Sequence, residues 1–301
     1  MPARLFLAGP TPEEPVMTSA QEGTLRSRDG LRLFYRDYPG NAARVPVLCL
    51  AGLTRNSRDF LSLAGRLSPT RRVITPDQRG RGRSDFDPLW LRYNPAVYVD
   101  DMLALLNSLR IDRVIVIGTS LGGIIGMLLA AMRPQVLAGV VLNDVGPELA
   151  SAGVARIRDY VGRLPPVRTW KEATAQMRST HERALPGLSA DEWLAFTRAS
   201  YSEDAQGVPR MQLDPRVGDA VRMLPTNAAF AMWMAFAALR SIPTLLLRGA
   251  HSDVLSPATV AQMRREKPDL RYVEVPNRGH APLLNEPESV AAIDDFLAQL
   301  P

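Results

Sequence analysis

Short strand-like apolar runs alternate along this chain with longer segments whose apolar residues recur at helical spacing. The strand-like runs lie at 47–50, 72–75, 113–117, 138–142, 242–247 and 270–275. Ahead of them, 24–28 and 31–38 flank Asp29-Gly30, a dipeptide that favours a tight hairpin turn. Helical periodicity fills 58–67, 95–109, 121–132 and 288–300. The second of these opens at Asn94-Pro95, a capping side chain followed by a ring already set to helical φ. Strands separated by helices of this length imply a mostly parallel sheet with helices on both faces.

Between 146 and 240 the strand signals stop, and helical stretches at 152–163, 169–185, 190–201, 215–224 and 226–239 replace them. The pattern therefore predicts an α/β core over 24–145 and 241–301 with a helical insertion over 146–240. The first 23 residues hold four prolines and little periodicity, so a flexible tail is expected there, poorly ordered through about Gln21.

Composition is ordinary for a globular chain, with 46% hydrophobic and 22% charged residues among 301. No apolar run approaches the length of a membrane span, and the apolar stretch at 5–9 is too short for a signal-peptide core. Neither a membrane partner nor export is expected, and cytoplasmic residence is the default. The net charge of +5 comes almost wholly from arginine, since Lys171 and Lys267 are the two lysines. These arginines are scattered rather than striped, and no nucleic-acid motif accompanies them, so a nucleic-acid partner is not expected. The single cysteine, Cys49, sits inside an apolar run and reads as a small core hydrophobe.

Candidate chemistry centres on Gly118-Thr119-Ser120-Leu121-Gly122, placed between a strand-like run and a helical one. That is the context of a nucleophile elbow, a turn so tight that the residues around the serine must nearly lack side chains. A nucleophilic serine needs a base, and the chain has three histidines, His181, His251 and His280. His280 stands in a Pro/Gly-rich loop after the strand at 270–275, where a rigid scaffold can present a general base. No cluster with metal-ligand spacing and no nucleotide-binding loop is present, so neither metal nor cofactor is expected. Gly80-Arg81-Gly82 lacks the third glycine of a dinucleotide fingerprint.

These residues resemble the α/β-hydrolase family, in which serine, acid and histidine follow in that chain order. Further likeness lies in Asp77-Gln78-Arg79-Gly80-Arg81-Gly82-Arg83-Ser84, similar to the family's Asp-x-Arg-Gly-x-Gly-x-Ser loop. Val47-Leu48-Cys49-Leu50-Ala51-Gly52-Leu53 resembles the strand that ends beside the oxyanion hole, with Ala51 where the family usually has histidine. The resemblance implies a mostly parallel eight-stranded sheet with a helical cap, and an oxyanion hole made by the amides of Leu53 and Leu121. It also implies a triad acid on one of two loops. Asp253, after the strand at 242–247, holds the commonest family position and is the expected acid; Asp144, after the strand at 138–142, is the alternative. Met232, Trp233 and Phe236, at the insertion's return to the core, are the candidate substrate contacts. Arg156 and Arg158 are candidates for a substrate carboxylate, although a solvated helix face accounts for them as well.

The expected activity is hydrolysis of a small carboxylic ester or lactone through an acyl-enzyme on Ser120. Hydrolysis of a C–C bond in a ring-cleavage product is the alternative, followed by perhydrolase or cofactor-free oxygenase chemistry, with a non-catalytic ligand receptor last.

Overall fold

A computed structural model describes residues 20–223 and 229–301. The chain begins with β1 (Gln21–Arg26) and β2 (Arg32–Tyr38), then β3 (Val47–Leu50), α1 (Leu61–Leu67), β4 (Val73–Pro76) and α2 (Pro95–Ser108). It continues through β5 (Val114–Thr119), α3 (Leu121–Met132) and β6 (Leu137–Asn143). An insertion follows, built from α4 (Ser151–Tyr160), α5 (Trp170–His181), α6 (Ala190–Ser200), β7 (Tyr201–Glu203), β8 (Pro209–Met211), α7 (Arg216–Met223) and α8 (Ala229–Ala237). The core resumes with β9 (Thr244–Gly249), α9 (Pro257–Glu266), β10 (Arg271–Val275) and α10 (Pro287–Ala298).

The main sheet has eight strands in the order β1-β2-β4-β3-β5-β6-β9-β10. The first two pairings, β1 to β2 and β2 to β4, are antiparallel, and the rest are parallel. The central strands β3, β4, β6 and β9 are buried along their whole length. Their side chains alternate between two cores. Leu48, Leu50, Val116, Val140 and Leu246 pack on the face covered by α2 and α3. Val47, Cys49, Ile115, Val141 and Leu245 pack on the face covered by α1 and α10. A strand with apolar residues at every position can serve both faces only in the middle of a layered α/β sheet. Cys49 is fully buried there, and burial pushes its thiol well above the ordinary range.

Two expectations from sequence are amended. The predicted tail over 1–23 ends sooner, because Gln21, Glu22 and Gly23 already pair with Asp37, Arg36 and Tyr35. The expectations for 1–19 and 224–228 lie outside the described residues. The insertion, expected to be wholly helical, also holds the β7–β8 hairpin. Its turn is set by Gly207 at φ +75° and by Asp204, whose Oδ1 accepts from Gln206 and Val208 amides at 3.0 Å each. Strands of three residues carry too little alternation to register as a pattern. The hairpin's exit is tied to the core by Gly82 N–H on Gln212 O at 2.9 Å and Asp214 N–H on Gly80 O at 2.8 Å.

Candidate active site

Ser120 stands between β5 and α3 with φ 51° and ψ −112°, outside the regions a side-chain-bearing residue ordinarily occupies. Such a conformation costs about 1–3 kcal/mol and must be imposed by its surroundings. Two glycines permit it. A Cβ on Gly118 would stand 2.3 Å from the Gly122 carbonyl carbon, and one on Gly122 would stand 2.0 Å from Leu50 O. Backbone hydrogen bonds then hold the turn, Ser120 N–H donating to Asn143 O at 3.0 Å while Ser120 O accepts from Gly123 and Ile124.

His280 comes from the loop after β10. Its Nε2 lies 2.8 Å from Ser120 Oγ, and its Nδ1 lies 2.8 Å from Asp144 Oδ2. A carboxylate offers only acceptors, so Nδ1 carries the proton and Nε2 accepts from the serine hydroxyl. Asp144 is fully buried and has φ 56°. Its Oδ1 accepts from Gly249 N–H at 2.8 Å, and its Oδ2 also accepts from Ser252 Oγ at 2.7 Å. Ser252 is itself fixed, because its Oγ accepts from the Leu255 amide at 3.0 Å. Next to Asp144, Asn143 Nδ2 donates to Pro282 O at 2.9 Å and ties the strand end to the histidine loop.

The expected acid, Asp253, is not on His280. Its carboxylate meets Arg156 of α4 in a two-pronged pair, Nε to Oδ2 at 2.7 Å and Nη2 to Oδ1 at 2.9 Å. Burial would raise its pKa, but the Arg156 hydrogen bonds and charge outweigh that and hold the carboxyl below its ordinary value. The alternative acid, Asp144, occupies the place by His280 instead. Arg156 is correspondingly spent on Asp253 rather than left for a ligand.

Above Ser120 and His280 is a cavity of about 650 Å³, walled by the β3 loop and by α4, α5 and α6. Leu53, Ile157, Tyr160, Leu185, Leu188 and Phe196 make it largely apolar. Met232, Trp233 and Phe236 do not line it. Helix α8 packs on α3, which turns Phe236 into the core and leaves Trp233 beside a separate cavity of about 190 Å³. His181 does reach the Ser120 cavity, with Nδ1 3.1 Å from Met177 O. Burial and the Arg55 charge push its pKa down to about 3. It is therefore a neutral wall residue whose Nδ1 proton is held by the Met177 carbonyl.

The β3 loop brings Gly52 against the serine, a Cβ there falling 3.8 Å from Ser120 Cβ. Arg81, fully buried, donates from Nε to Leu53 O at 2.9 Å and holds the next peptide in place. Leu121 begins α3, so its N–H is one of the helix-terminal donors without an intrahelical partner. Among the described residues no group of three or more His, Cys, Asp or Glu could hold a metal ion, and no helix is long and apolar enough to cross a membrane.

The family model described as "Alpha/beta hydrolase family" matches residues 47–293, which span the core and the insertion. The chain belongs to the alpha/beta hydrolase family. Within this family it is 34% identical over 277 residues to the 3-hydroxybutyrate-oligomer hydrolase of Cupriavidus necator, covering 88% of this chain and 92% of that protein. It is 27% identical over 255 residues to the 2-(acetamidomethylene)succinate hydrolase of Mesorhizobium japonicum, covering 83% and 87%. The crystal structure of an alpha/beta hydrolase from Novosphingobium aromaticivorans superposes with a TM-score of 0.87 at 41% identity, covering 94% of this chain and 99% of that one.

Several residues that shape this alpha/beta hydrolase's site escaped sequence reasoning. Ser252 is adjacent to the expected acid and looked like part of its loop, yet its hydroxyl serves Asp144. Arg81 reads in sequence only as a position of the family-like loop 77–84, which says nothing of its side chain's contact with the Leu53 carbonyl. Tyr160, at the end of α4, is likewise a wall of the cavity.

Proposed function

We propose that this chain is a serine hydrolase that cleaves small carboxylic esters or lactones through an acyl-enzyme on Ser120. The observation that carries this reading is the continuous hydrogen-bonded line from Ser120 Oγ through His280 to buried Asp144, each link 2.8 Å long. His280 Nε2 takes the serine proton as Oγ attacks the substrate carbonyl. Asp144 holds the imidazole in the required tautomer and stabilises the imidazolium that forms. The Leu53 and Leu121 amides receive the negative charge on the carbonyl oxygen; one such preorganised donor is typically worth about 3–4 kcal/mol. His280 then returns its proton to the leaving group. Water, activated by the same nitrogen, releases the acid and restores Ser120.

The helical insertion acts as a cap in this scheme. Its apolar wall keeps bulk water from the acyl-enzyme and limits the length of acyl chain admitted. The ester reading also accords with the Cupriavidus relative, which is named for an oligomer of a hydroxy acid. Hydrolysis of 4-nitrophenyl esters of graded acyl length tests the proposal. Wild-type protein should turn them over, and Ser120→Ala should lower kcat by about six orders of magnitude. Turnover that survives in Ser120→Ala would sink the mechanism.

A further inference from the structure

The cavity wall includes an arginine that the proposed reaction leaves unused. Arg58 lies in the 3-10 turn Ser57–Phe60, directly after the β3 loop, and lines the same cavity as Ser120 and His280. Asn56 caps that turn and fixes the arginine's base, its Oδ1 accepting from Arg58 N at 3.0 Å and Nε at 3.4 Å. At the far end Nη1 donates to Ser202 Oγ at 3.1 Å. The head is thereby oriented, but by neutral partners. No carboxylate lies within ion-pair distance of it, and Nη2 has no hydrogen-bond partner, among the described residues.

The other charged wall residues are already engaged. Arg55 is held by Asp59, Nε to Oδ2 at 2.8 Å and Nη2 to Oδ1 at 2.6 Å, and lies over the Phe196 ring. Arg198 is exposed and rests over Trp170 at 5.2 Å. Glu192 serves the capping box of α6. Asp77, whose charge is felt at Arg58, is occupied by the Ser57 and Arg83 amides at 2.7 and 2.8 Å. Burial pushes the Arg58 pKa down, a sign that its charge is poorly solvated where it stands. An arginine nevertheless stays protonated in proteins, so such a site gains when a ligand brings the missing anion.

We propose that Arg58 binds the free carboxylate of an acidic ester, so that the cavity selects substrates bearing a carboxylate beyond the scissile carbonyl. This specificity rests on the ester-hydrolase reading above. The apolar walls take the short aliphatic body between the two ends. A guanidinium suits the task because its planar donors can meet a carboxylate with more than one hydrogen bond.

The test compares two 4-nitrophenyl esters of similar acyl length, the neutral butyrate and the glutarate half-ester with a free carboxylate. Wild-type protein should hydrolyse the half-ester at least as efficiently as the butyrate. Arg58→Gln should lower the half-ester to butyrate ratio of kcat/KM by about 30-fold, mainly through KM. Arg58→Lys should keep part of the preference by retaining the charge. Equal loss on both esters in Arg58→Gln, or rejection of the half-ester by the wild type, would overturn the inference. If neither ester is turned over, the ester reading itself fails. The inference is then read from calorimetric titration of glutarate into Ser120→Ala protein. Binding weakened by Arg58→Gln supports it, and binding that is absent or insensitive to that change overturns it.

Discussion

The loops that follow β6 and β9 each deliver an aspartate to the His280 side of the sheet, and they treat it in opposite ways. Asp144 follows β6 directly, is fully buried, and receives three donors that are all neutral or histidine-borne. Asp253 lies four residues past the end of β9, keeps 26% of its side chain exposed, and is claimed by a guanidinium from the insertion. A carboxylate whose charge is already matched by arginine gains little from orienting an imidazole. One held by short neutral donors has a fixed direction and no competing cation. The two loops also cooperate, since β9's loop contributes Gly249 N–H and Ser252 Oγ to the carboxylate of β6's loop. Position relative to a strand end therefore does not identify the acid; the partners of each carboxylate do.

The sharpest way to break this comparison is to neutralise each carboxylate in turn. Asp144→Asn should cost about four orders of magnitude in kcat, because the amide would leave the imidazole in the wrong tautomer. If Asp253→Asn proves the severe variant instead, the reading of both loops is wrong. Ser252→Ala should come next, lowering kcat about tenfold through loss of one hydrogen bond to a charged acceptor. Its melting temperature should stay close to that of the wild type, which separates this loss from a folding defect.

Asp253→Asn should be the mildest, changing kcat less than about threefold and stability by less than about 1 kcal/mol, as for a partly exposed ion pair. Its signature lies in acid. The folded-state pKa of Asp253 is depressed, so its contribution is present above the ordinary carboxyl value of 3.8 and is lost as pH falls below that. Melting curves of wild type and Asp253→Asn should thus differ at neutral pH and draw together as the pH falls below 3.8. A constant gap across that range would contradict the ion-pair assignment.

Much of this molecule was legible because its signals are local. The run at 113–117, the two glycines and the apolar helix behind Ser120 occupy one stretch of chain, and the tight turn they demand is the turn that forms. His280 was legible because it stands in a loop after a strand and follows the elbow in the chain order that a serine–acid–histidine site requires. The acid was not, because choosing between Asp144 and Asp253 requires knowing that Arg156, far away in sequence, lies against the second. The cap residues failed for a different reason. Met232, Trp233 and Phe236 have the composition of a binding wall, but composition does not say which neighbour a helix faces, and α8 faces α3. Arg58 reads as the first residue of the helical stretch 58–67, and nothing in that periodicity says which cavity its side chain lines.

The arginines at 79, 81 and 83 form the densest basic stretch of the chain, yet Arg79 and Arg81 are buried and Arg83 alone of the three is exposed. Arg79 is buried among Asp29, Asp87 and Asp101, with Arg92 also reaching Asp29, so two guanidiniums face three carboxylates. Arg81 is consumed by carbonyls and the Tyr98 hydroxyl, and Arg83 by Glu22. Viewed as an electric object, the segment that looks most cationic in one dimension is, in three, close to neutral, the guanidiniums of Arg79, Arg81, Arg83 and Arg92 standing against the carboxylates of Asp29, Asp87, Asp101 and Glu22.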